Sequence, residues 1–95
     1  MALADVLKSG EYYLIDVREP LELEMDGYIE GATNIPLGEV VDRKDEILGL
    51  DKPVVLFCRS GNRSGKALEI LTGEGLKDGY NGGGWVELKE ALENL

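Results

Sequence analysis

VVLFCRSGNRSG, residues 54–65, runs four apolar residues into the only cysteine of the chain and then into glycines, serines and two arginines. A short run that is apolar at consecutive positions suits a strand buried on both faces, as at the centre of a parallel sheet. The amphipathic stretch SGKALEILTGEG, residues 64–75, reads as a helix with Ala67, Leu68, Ile70 and Leu71 facing inward and glycine at its end. The segment is therefore a strand, a tight polar loop and a helix, with Cys58 at the carboxyl end of the strand.

The rest of the chain repeats this alternation. YYLIDV, residues 12–17, is β-prone and mostly apolar and predicts a buried strand, preceded by a short helix over ADVLKSG (4–10) that Gly10 stops. PLELEMDG (20–27) predicts a short helix with Pro20 at its start and Gly27 after its end. GATNIPLGEV (31–40) holds a brief extended piece, because Pro36 keeps Ile35 out of the helical region. In EVVDRKDEILG (39–49), Val40, Val41, Ile47 and Leu48 fall at roughly helical spacing. LKDGY (76–80) is a weak fourth strand, GGGW (82–85) a turn, and WVELKEALENL (85–95) a closing amphipathic helix. Strands alternating with helices predict a three-layer α/β fold with a largely parallel sheet. A chain of 95 residues suffices for one core, so residues 1–95 are expected to form a single domain.

Composition removes several function classes. The chain has no histidine, so no internal Ser-His or Cys-His couple can form. One cysteine without histidine also removes nearly every zinc or copper site, and no calcium-loop spacing is present. No cofactor is implied. A net charge of −9 argues against nucleic acid or an anionic membrane as partner. The lone cysteine and the lack of a signal-like opening lead us to expect the cytoplasm, or the periplasm if a leader has been removed. The protein is expected to be a monomer.

In this acidic chain, Arg59 and Arg63 form a local positive island around Cys58. A thiolate at the end of a central strand lies near the positive end of the following helix and can accept hydrogen bonds from loop amides. Both effects lower a cysteine pKa, and without histidine they are the only activators at hand. Gly61 supplies the backbone freedom that a loop wrapped around one sulfur needs, and the two arginines offer forked donors to an oxyanion. A cysteine after VVLF is by itself equally readable as a small buried hydrophobe. The loop favours the reactive thiolate, because a structural cysteine has no need of RSGNRSG beside it.

The sequence resembles the rhodanese family of sulfurtransferases over nearly its whole length. YYLIDVREP looks like the family's first signature, and GYIEGATNIPL resembles its Gly-His-Ile-x-Gly-Ala-x-Asn-Ile-Pro segment. VVLFCRSGNRSGKALEIL matches the active-site loop and helix, and YNGGGWVEL looks like a compressed Gly-Gly-x-x-x-Trp terminus. The resemblance implies a small single-domain rhodanese with a mostly parallel sheet of about five strands flanked by helices. It implies that Cys58 attacks the outer sulfur of thiosulfate, releases sulfite and passes the sulfur of its persulfide to cyanide, a thiol or an acceptor protein. Backbone amides of Arg59, Ser60, Gly61, Asn62, Arg63 and Ser64 would cradle the persulfide, with Arg59 and Arg63 drawing in the anionic donor. Asp16 and Arg18 match positions that in the family lie beside this loop and are assigned support, with a surface charge pair ending the strand as the other reading; Trp85 is expected as a core or lid aromatic. Tyr28 stands where the family commonly has histidine and Glu30 where proline is frequent, which predicts altered packing near the pocket rather than lost activity.

Three other functions fit the same residues. One is a persulfide relay within a sulfur-trafficking pathway, for which thiosulfate would be a poor donor. Another is a cysteine-dependent phosphatase; the four residues between Cys58 and Arg63 count against it, since phosphatase loops place one more there. The last is a non-catalytic binding module, which commonly loses the cysteine retained here.

Overall fold

The computed structural model describes residues 2–95. Four strands, β1 (Tyr13–Asp16), β2 (Thr33–Asn34), β3 (Val54–Cys58) and β4 (Gly79–Gly84), form one sheet in the order β2-β1-β3-β4, every pair parallel. The helices are α1 (Leu3–Ser9), α2 (Pro20–Asp26), α3 (Lys44–Leu48), α4 (Asn62–Gly73) and α5 (Trp85–Glu93), with a 3₁₀ turn at Leu37–Glu39. Among the described residues, no helix is long and apolar enough to cross a membrane.

β3 is buried at all five positions, and its alternation divides the core. Val54, Leu56 and Cys58 face one layer with Ala67 and Leu71 of α4 and Ile47 of α3; Val55 and Phe57 face the other with Val6 and Leu7 of α1 and Leu88 of α5. Apolar residues on both faces of one strand thus bind helices on both sides of the sheet, which gives the three-layer fold.

The sheet has four strands, not the five implied by the family resemblance. β2 is only two residues long, and the chain passes through Ile35 and Pro36 into the 3₁₀ turn. The glycines at 82–84 belong to β4 rather than to a turn. A Cβ on Gly82 would lie 2.8 Å from Val55 Cγ1, and one on Gly84 2.7 Å from the Arg59 carbonyl oxygen, so bare backbone is what lets this strand pack. The expected helix over residues 39–49 is interrupted: only Lys44–Leu48 is α-helical. Val40 and Ile47 are buried as its period required, whereas Val41 is 51% exposed.

Candidate active site

Cys58 is fully buried at the end of β3. The chain then turns back over its sulfur. Gly61 adopts φ +95°, a left-handed conformation that side chains resist, and a Cβ there would meet Gly83 Cα at 3.2 Å. The turn aims the Gly61 amide at Sγ, 3.1 Å away, and the Ser64 amide of the first turn of α4 at 3.4 Å. No side chain caps α4; the sulfur accepts two of the amide hydrogens that the helix start leaves open. Ser64 Oγ lies 3.5 Å from Sγ.

These contacts set the thiol's acidity. Burial pushes the Cys58 pKa up, but the Ser64 hydroxyl, which the thiolate can engage, and the amides of Ser64, Ser60 and Gly61 outweigh it, so the net shift is downward. The cysteine is thus held toward its nucleophilic form by backbone donors, with the Ser64 hydroxyl in reach of the thiolate and without a histidine.

The other predicted residues take different places. Ser64 touches the sulfur; Arg59, Ser60 and Asn62 form an exposed rim. The Arg63 guanidinium forks onto Glu22 of α2 at 2.7 and 2.8 Å. The Arg63 hydrogen bonds hold the Glu22 carboxyl at about 2, far below its ordinary range. Asp16 and Arg18 form a buried ion pair at 2.8 Å rather than a surface pair, each only 1% exposed. Arg18 also donates to the Gly27 carbonyl at 2.9 Å and lies under the Trp85 ring, 4.7 Å from its centroid. Trp85 therefore covers Arg18. Tyr28 and Glu30 are exposed, and Tyr28 borders an open cleft of about 320 Å³ with Pro20, Leu23, Glu24 and Ala32.

Two participants were not singled out from the sequence. Glu22 looked like one carboxylate among several on a surface helix. Asn81 sits in a glycine run, where its side chain accepts a hydrogen bond from Ser64 Oγ at 2.7 Å and donates to the Gly61 carbonyl at 3.0 Å. The one signal at that position was a lone amide among glycines after a weak strand.

A cysteine cradled by a short loop between a central parallel strand and a helix coincides with a family match: the model described as Rhodanese-like domain fits residues 2–91. The chain belongs to the rhodanese-like domain family. Among curated proteins, this rhodanese-like chain is 52% identical to the uncharacterized protein YqhL of Bacillus subtilis over 72% of its own length and 52% of that protein. It thus spans about half of that relative. It is 38% identical to the thiosulfate sulfurtransferase PspE of Escherichia coli, over 78% of this chain and 71% of PspE. A solved structure titled rhodanese with anions, from E. coli, superposes with a TM-score of 0.72 at 35% identity, covering 80% of this chain and 89% of that one.

Proposed function

We propose that the protein is a sulfurtransferase that carries sulfane sulfur as a Cys58 persulfide. The observation that carries this reading is the set of polar groups on one sulfur: the Gly61 and Ser64 amides donate to Sγ, and the Ser64 hydroxyl lies 3.5 Å from it. The name of the E. coli relative PspE supports thiosulfate as donor. In the first step, the Cys58 thiolate attacks the outer sulfur of thiosulfate. A new S–S bond forms, the old one breaks, and sulfite leaves with the bonding pair. The negative charge then rests on the outer sulfur, where loop amides stabilise it. In the second step, cyanide or a thiolate attacks that outer sulfur and Cys58 leaves as the thiolate.

A persulfide donor, with the protein acting as a relay, is favoured by one specific contact. With Arg63 held by Glu22, Arg59 is the cation left on the exposed rim of the loop for a dianionic donor.

Intact mass spectrometry after incubation with thiosulfate and removal of excess tests the proposal. One added sulfur atom on the wild type, discharged by cyanide and absent from Cys58→Ser, is the expected outcome. No added sulfur from thiosulfate, but loading from a low-molecular-weight persulfide, would select the relay. No loading from either would remove the function.

A further inference from the structure

Asn81 lies where the pairing of β3 with β4 slips: Leu56 pairs with Asn81 but Phe57 with Gly83, so Gly82 is an extra residue. From this bulge the Asn81 side chain reaches the cysteine loop, and its amide has one possible orientation. Oδ1 accepts from the Gly83 amide at 3.0 Å and from Ser64 Oγ at 2.7 Å, while Nδ2 donates to the Gly61 carbonyl at 3.0 Å. Turning the amide over would set a donor against the Gly83 N–H and an acceptor against the Gly61 carbonyl.

That orientation decides where the Ser64 proton lies. The hydroxyl has a single proton, and Asn81 Oδ1 can only accept. Toward Sγ, 3.5 Å away, Ser64 Oγ therefore presents a lone pair, and in the neutral cysteine the S–H is the donor of that contact. A hydrogen bond donated by the thiol favours the neutral form, whereas one accepted by sulfur favours the thiolate. When Cys58 ionises, its proton leaves to solvent, and the Ser64 proton can serve the thiolate only by turning away from Asn81. Oδ1 then keeps the Gly83 amide and loses its other donor.

We propose that Asn81 is a positioning residue that competes with the Cys58 thiolate for the Ser64 hydroxyl proton, and thereby sets how readily the sulfur ionises and takes up cargo. The consequence for cargo rests on the persulfide reading above. In the persulfide the charge sits on the outer sulfur and Sγ is neutral, so Ser64 stays with Asn81. Only the empty thiolate must contest the proton, which shifts the balance toward the loaded form.

The charged groups around Cys58 are the Asp16–Arg18 pair at the end of β1, the Glu22–Arg63 pair between α2 and α4, Arg59 in the loop and Glu87 of α5 beside Gly84. Asn81 hydrogen-bonds to none of them, so replacing it leaves these partners in place.

The rate of iodoacetamide alkylation against pH tests the competition, and with one cysteine in the chain the signal has one source. Asn81→Ala is expected to lower the apparent pKa of Cys58 by about half a unit, or roughly threefold more thiolate at pH well below it. In a Ser64→Ala background the same substitution is expected to give no such fall. Asn81→Asp, which keeps both acceptor contacts and loses the donor to Gly61, is expected not to lower the pKa. An unchanged or raised pKa in Asn81→Ala would overturn the proposal. So would an equal fall without Ser64, or an equal fall in Asn81→Asp, because either assigns the effect to the Gly61 clamp. The alkylation assay uses no sulfur donor: a protein that shows the shift but takes up no sulfur upholds the competition and overturns the sulfurtransferase reading instead.

Discussion

Arg18 is a long cation held at 1% exposure in a domain of 95 residues, and the cost of removing it from water is offset only by its partners. Asp16 takes its Nε and Nη2, Gly27 takes Nη2 again, and the Trp85 face covers the guanidinium. Asn34 braces the same corner by donating to the carbonyls of Asp16 and Arg18, both at 2.8 Å. Removing one partner strands the other charge. Asp16→Ala is therefore expected to cost about 3–5 kcal/mol of stability, read by urea unfolding through the fluorescence of Trp85, the sole tryptophan. A loss below about 1 kcal/mol, the size typical of a surface pair, would contradict the buried pairing. The family resemblance placed these two residues beside the loop, but a surface pair stayed open, since DVRE contains nothing that specifies burial. Cys58 was easier to read, because its activating glycine and serine lie within six residues of it.

Between elements, the contact that matters most to the loop is α2 against the start of α4. Alternation in LELEM puts apolar side chains on opposite faces of a helix, so Leu21 and Met25 are exposed at 62% and 75% while Glu22 turns to Arg63. The pair titrates in a predictable direction. Glu22 has a folded pKa of about 2, below the ordinary ~4.3 of an unfolded glutamate. The unfolded chain thus takes the proton first, and the pair's stabilisation is present above pH ~4.3 and lost as pH falls toward 2. Glu22→Gln should flatten the stability–pH curve within that window, measured by urea midpoints at successive pH values. An unchanged slope between wild type and variant would show that the pair does not anchor α2. Helix α2 itself was legible from Pro20 and Gly27, but its partner was not, because 41 residues separate Glu22 from Arg63.

For the whole molecule, stability should follow burial on the central strand rather than apolarity as such. Leu56 is 0% exposed within the core layer facing α3 and α4, so Leu56→Ala is expected to cost about 2–5 kcal/mol. Leu21→Ala, on an exposed face of α2, should stay within about 0.5 kcal/mol. Thermal or urea unfolding of the two variants side by side checks this, and similar losses would mean that α2 packs more deeply than described. What the sequence by itself determined is local: the buried strand β3, the helix after it, the alternation that makes a three-layer α/β fold, and the cysteine at the strand's carboxyl end. Each of these is written in hydrophobic period and in turn residues a few positions apart. Tertiary structure alone decided that the 82–84 glycines are strand, where Val55 beside Gly82 and the Arg59 carbonyl beside Gly84 leave no room for a side chain. It also settled the sheet at four strands, paired Arg63 with Glu22, and brought Asn81 onto the hydroxyl that faces the Cys58 sulfur. Those outcomes depend on chain segments far apart in sequence meeting in space, and no local pattern encodes which polar group will find which.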